Sequence, residues 1–218
     1  MADLRDYIAW HRGYDDPDSG LSWRLRTVQD WLRRALDEHH GPVSPQESRS
    51  IISVCAGEGR DVIGVLSDRE DVDRVSATLV ELQPQIADTA RSAAAAARLS
   101  RVEVRQTDAG HTDAYAGVPP ADIVLLVGIF GNISIDDLRR TITWSPQLCA
   151  PGATLLWSRH RDRGNLNPQI RAWFADAGFA ELDYAELDRD SMPALGAVSY
   201  VGGSAGEAIE GRLFTFLH

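Results

Sequence analysis

Lysine is missing from this sequence: all 22 basic residues are arginine, set against 32 acidic ones. The formal net charge is −10 and the pI about 5. Such a surface repels phosphate backbones, so no nucleic-acid partner is expected. The all-arginine basic set points to a GC-rich coding genome, which bears on source and not on function. Cysteine is scarce too. Cys55 and Cys149 are the two present, too few for a disulfide framework, and with the histidines they show no metal-ligand spacing. No metal is expected, and a reduced, cytoplasmic protein is. No apolar run approaches the roughly 20 residues that span a bilayer, and no basic stretch followed by an apolar core opens the chain. A membrane partner is therefore not expected either.

At 218 residues the chain can bury one sizeable core, and its length favours a single α/β domain with an extension. Residues 1–42 read as the extension. They open with aromatics and charge, Tyr7, Trp10, His11 and Tyr14, and break at Asp16-Pro17-Asp18-Ser19-Gly20. Leu21, Leu25, Val28, Leu32 and Leu36 then recur at helical spacing, with Ser22 as the expected N-cap, until His39-His40-Gly41-Pro42 ends the helix. Residues 43–218 form the main domain.

That domain is organised around residues 51–61, Ile-Ile-Ser-Val-Cys-Ala-Gly-Glu-Gly-Arg-Asp. A β-branched run, as in a strand buried on both faces, meets two glycines and continues as a helix over 61–66. Gly57 and Gly59 lack the Cβ atoms that keep ligands from a backbone, so the turn reads as a nucleotide-binding loop. Glycine pairs after a strand also serve plain turns, and the downstream spacing carries the argument. A strand over 75–80 ends on Glu81, a third over 102–104 is followed by Asp108, and a fourth over 123–127 runs into Gly128-Ile129-Phe130-Gly131-Asn132. Helices over 84–99, 136–148 and 168–177 and a fifth strand over 153–157 complete an alternation that implies parallel strands with right-handed crossovers. Three further segments, 181–187, 197–201 and 212–217, read as strands.

This set resembles the class I S-adenosylmethionine (SAM)-dependent methyltransferases over residues 51–218. The family's first motif reads acid-x-Gly-x-Gly-x-Gly; here Ser53 stands at the acid and Cys55 at the first glycine, while Gly57 and Gly59 match. The departures resemble actinobacterial-type methyltransferases that act on small molecules. The resemblance implies a Rossmann-like, seven-stranded α/β sheet with helices on both faces and an N-terminal helical extension that serves as a lid. It also implies a closing antiparallel hairpin whose last strand inserts between the fifth and sixth. Phe214, Phe216 and Leu217 suit that insertion, although three segments compete for two strands. The implied cofactor is SAM, released as S-adenosylhomocysteine. Its methionine part falls to Ala56, Gly57, Glu58 and Gly59, its ribose to Glu81 with Leu82 adjacent, and its adenine to Asp108 and Ala109. Gly128 and Phe130, just after the fourth strand, complete the cofactor set, and with Asn132 they are expected to line the acceptor pocket.

Methyl transfer from a sulfonium is an in-line displacement that needs alignment, dryness and sometimes a base. His160, after the fifth strand, is the first candidate base because imidazole titrates near neutrality; as one histidine in a charged loop it equally reads as surface. His11 is second, and Tyr14 would orient the acceptor from the lid. His111 reads as surface or cofactor-adjacent, and Cys55 as core. The expected acceptor is a small organic molecule, since the Asn/Asp-Pro-Pro-aromatic signature of enzymes acting on base and amide nitrogens is missing after the fourth strand. A nicotinamide-dependent oxidoreductase would need a third glycine where Val62 stands. A SAM-binding protein without turnover is the remaining alternative. Acceptor atom and oligomeric state, monomer or homodimer, stay open.

Overall fold

The computed structural model describes residues 14, 16–38, 48–160, 164–186, 193–203 and 209–217. Helix α1 (Gly20–Asp37) buries Val28, Trp31, Leu32, Ala35 and Leu36 on one stripe. Its N-cap is Ser19 rather than Ser22: the Ser19 hydroxyl accepts from the Ser22 N–H at 3.0 Å, while the Ser22 hydroxyl donates to the Tyr14 carbonyl. The capping oxygen must sit three residues before the N–H it serves, and Ser19 leads the helix by that spacing.

Strands β1 (Arg49–Val54), β2 (Val75–Glu81), β3 (Val102–Gln106), β4 (Ala121–Leu126) and β5 (Cys149–His160) pair in parallel. Between them run α2 (Arg60–Leu66), α3 (Pro84–Ala96) and α4 (Ile135–Trp144). After β5 come α5 (Asn167–Asp176), β6 (Phe179–Glu186) and β7 (Pro193–Tyr200). The seven strands lie in the order β3-β2-β1-β4-β5-β7-β6, with β7 antiparallel to both neighbours. Two helices are shorter than their periodicity suggests. α3 ends at Ala96 because Arg98 turns left-handed (φ 56°) and the Leu99 N–H returns to the Ala94 carbonyl. α4 gives way to a tight turn over Ser145–Leu148, where Pro146 cannot donate to the helix.

The sheet is covered on both faces. Ile52, Val54, Val124 and Trp157 pack with Leu138, Ile142, Ile170 and Phe174 from α4 and α5 on one side. Ile51, Ile123 and Leu156 pack on the other with Val62 and Leu66 of α2, Ala90 of α3, and Val28 and Leu32 of α1. The stripe of α1 is thus continuous with the core.

The inserted strand is residues 193–200, and the expectation that 212–217 fills that place is corrected. An interior strand must be apolar on both faces, and Ala194, Leu195, Ala197 and Val198 are. Gly196 passes directly beneath the Trp157 indole, where a Cβ would stand 2.3 Å from the ring. Residues 212–216 make only single bridges, His111 with Arg212 and Ile133 with Phe216. They cross the carboxyl ends of the strands as a strap, with Leu213 and Phe214 buried and Phe216 left for the cavity described next.

Candidate functional site

The strand order reverses between β1 and β4, the place where open α/β sheets hold their ligands. A cavity opens there, and its floor is the turn from β1 into α2. Cys55, Gly57 and Gly59 take left-handed φ of 52°, 58° and 70°. Ala56, Gly57 and Glu58 line the cavity. Gly59 does not: a Cβ there would stand 2.8 Å from Ile63 Cδ1 and 2.9 Å from Leu79 Cδ1. Its glycine is set by turn geometry and by the close seating of α2 on β2. Ser53, the residue at the family's acid position, is buried at 2% exposure and points no charge into the cavity.

Glu81 ends β2 at 8% exposure and organises this floor. Its Oε2 accepts the Gly57 N–H at 3.0 Å and its Oε1 accepts the Gln83 N–H at 2.8 Å. Leu82, Gln83 and Ile86 extend the same wall. Asp108 and Ala109 follow β3. The Asp108 carboxylate accepts the Gly110 N–H at 2.9 Å and pairs with Arg212 of the strap at 2.5 Å, while the Tyr115 hydroxyl donates to the Ala109 carbonyl at 2.9 Å. Burial, helped by the Glu81 and Asp108 charges, pushes the Cys55 thiol well above its ordinary range. That disfavours the thiolate and a nucleophilic role; Cys55 is half-buried and lines the cavity instead of lying fully inside the core.

After β4 the chain turns through residues 128–132. Gly128 (φ 81°) and Asn132 line the cavity, and the Asn132 amide donates to the Gly128 carbonyl at 2.9 Å. Phe130 does not reach it. The turn directs its ring to the opposite side, into the aromatic core 6.2 Å from Trp157 and Phe174, at 1% exposure. His160 also lies away from the cavity; it closes β5 opposite Pro193 of β7. His11 lies outside the described residues. Tyr14 is in place, its hydroxyl accepting from Arg24 Nη2 at 2.5 Å and its ring covered by Arg60 at 5.0 Å.

Sequence reasoning missed Arg24 and Asp61. Arg24 is 5% exposed yet points into the cavity, its Nη1 3.3 Å from where a Gly128 Cβ would stand. The signal was an arginine at a stripe position, four before Val28 and seven before Trp31. Asp61 opens α2 and also lines the cavity; burial raises its carboxyl pKa, and the Arg24 guanidinium pulls the other way. Nothing in the sequence marks this aspartate, because an acid in a first helical turn is commonplace.

Strand order, inserted antiparallel strand and site position together define the class I methyltransferase fold. Solved structures agree. The magnesium protoporphyrin IX methyltransferase ChlM from Synechocystis PCC 6803, solved with bound SAM, superposes with a TM-score of 0.67 at 14% identity, over 90% of this chain and 92% of that one. The CurJ carbon methyltransferase gives 0.69 at 12% identity over 90% of this chain, which spans 59% of the CurJ chain. An O-methyltransferase family protein from Burkholderia thailandensis gives 0.59 at 19% identity, over 88% of this chain and 63% of that one. No protein-family model matches the sequence, and no characterised protein matches it at the sequence level.

Proposed function

We propose that this protein is a SAM-dependent methyltransferase acting on a small organic acceptor. One observation carries the reading: the turn after β1, the acid ending β2, the Asp108-Ala109 pair after β3 and Gly128 after β4, far apart in sequence, line one cavity at the switch in strand order. That donor set fits the cofactor. Glu81 keeps acceptor capacity for two ribose hydroxyls beyond its two backbone N–H groups, Asp108 offers a carboxylate to an adenine amino group, and Leu82 and Ile86 supply apolar walls. ChlM and CurJ, both methyltransferases, share the fold. The departure at Ser53 removes a charge without obstructing the cavity, since the side chain is buried elsewhere. A dinucleotide reading is disfavoured because Val62, fully buried, packs α2 where that fingerprint requires glycine.

When bound, the cofactor supplies an electrophilic methyl group on a sulfonium. The chain's own work is to hold both partners in line and keep water away. Tyr14 is the candidate from the lid that meets the acceptor, with its hydroxyl oriented by Arg24; Asn132 and Phe216 line the same cavity. His160 gains no support as a base from its place at the end of β5. The net charge of −10 favours a small acceptor over a nucleic acid, and no described helix is long and apolar enough to cross a membrane.

Thermal unfolding with saturating SAM, S-adenosylhomocysteine and NAD in parallel tests the assignment. A ligand at 100 times its Kd adds about 2.7 kcal/mol, which raises Tm by roughly 5–10 °C for a domain of this size. A rise with S-adenosylhomocysteine but not NAD is expected; no rise with either SAM ligand would refute the cofactor.

A further inference from the structure

We infer that Phe216, carried by the strap, selects an acceptor with an aromatic body. The inference rests on the methyltransferase reading above and names the substrate class of the same cavity. On that reading the turn after β1, Glu81 and Asp108 meet the cofactor, so the turn after β4 and the strap are left for the acceptor. Among the described residues, those two elements give the cavity lining Val127, Gly128, Asn132 and Phe216: apolar surface, a side-chain amide and an aromatic ring, with no charge from either element. Tyr14 of the lid supplies the other ring in the described lining.

The strap fixes the Phe216 ring from both ends. At its start the Thr112 N–H donates to the Gly211 carbonyl at 2.9 Å, the Leu213 N–H donates to the Gly110 carbonyl at 2.8 Å, and Arg212 pairs with Asp108. At its far end Phe216 bridges Ile133, and the Leu217 N–H donates to the Asn132 carbonyl at 2.9 Å. Side chains alternate along an extended segment, so Phe214 and Phe216 share one side and the exposed Thr215 takes the other. Phe214 is buried in the core and meets the Phe216 ring edge-on at 5.7 Å. Phe216 is itself half-buried, backed by that ring and part of the cavity wall. A ring so supported has little freedom left to lose on binding, and its quadrupole favours another ring, stacked or edge-on, over a saturated body of the same size.

Calorimetry on the protein saturated with S-adenosylhomocysteine tests this with two probes of one carbon skeleton, 2-naphthol and its saturated counterpart 2-decalol. Burial of apolar area gives the saturated probe no disadvantage, so a preference for naphthol reports the ring contact. Naphthol should bind about 3- to 10-fold more tightly, the range for an aromatic pair. Phe216→Leu, which keeps an apolar side chain, should abolish that preference and leave the affinity for S-adenosylhomocysteine unchanged, which also shows that the variant is folded. A wild-type complex that binds naphthol no better than decalol, or binds neither at millimolar concentration, would overturn the inference. So would a variant that keeps the preference, or one that loses affinity for S-adenosylhomocysteine, which would make Phe216 a cofactor contact. A wild type that does not bind S-adenosylhomocysteine at all would instead remove the methyltransferase reading itself.

Discussion

Replacing Glu81 separates the two jobs its carboxylate is given. In the ligand-free protein it accepts the Gly57 and Gln83 N–H groups while 8% exposed. Glu81→Ala leaves two shielded donors without their acceptor, at about 1–3 kcal/mol each. Water entering from the cavity reaches both, which favours the lower end: about 2 kcal/mol in all, or a fall in Tm of roughly 4–8 °C. Binding suffers separately, because two ribose hydroxyls lose a charged acceptor. Taking about 3 kcal/mol for the pair gives a rise in Kd of roughly a hundredfold. Glu81→Gln keeps an oxygen for one N–H but turns an amide donor toward the other, so it should fall between wild type and alanine on both scales. Urea unfolding without ligand measures the first effect, and calorimetry with S-adenosylhomocysteine the second. An alanine variant with wild-type Kd would refute the ribose assignment, and one with the wild-type urea midpoint would refute the view that Glu81 holds the turn.

Gly59→Ala should destabilise by about 2–4 kcal/mol, combining the left-handed backbone penalty with overpacking against Ile63 and Leu79; a urea midpoint unchanged from wild type would sink that account. Asp61 gives a pH signature in the ligand-free protein. Its folded pKa is raised by burial, so between the ordinary carboxylate value of about 4 and the raised one the unfolded chain releases its proton first, and stability falls as pH rises. Asp61→Asn removes that loss: its stability relative to wild type should grow from pH 4 to pH 7, and a difference that is flat with pH would contradict the desolvation of Asp61.

Much of the fold was legible because local rules and tertiary structure agree. The β-branched runs at 51–54 and 75–80 are buried on both faces, as parallel interior strands require, and Gly57, Glu81, Asp108 and Gly128 follow strands whose carboxyl ends share one edge of the sheet. Periodicity ran out where several segments could fill one place. Residues 197–201 and 212–217 both look like strands, and only the fit of Gly196 under Trp157 decides between them. It ran out again within the turn at 128–132, where φ 81° at Gly128 sends Phe130 to the core and Asn132 to the cavity.

The sequence by itself thus determined the alternation of the five parallel strands with their helices, the turn that must be glycine, and the acids that close β2 and follow β3, since each depends on neighbours a few residues away. Tertiary structure alone decided that Arg24 and Asp61 face one cavity, that Arg212 pairs with Asp108 across 104 residues, and that His160 lies away from the site. Those outcomes depend on which side chains the packed helices and the strap bring within a few ångströms, and no local pattern in the chain encodes such distances.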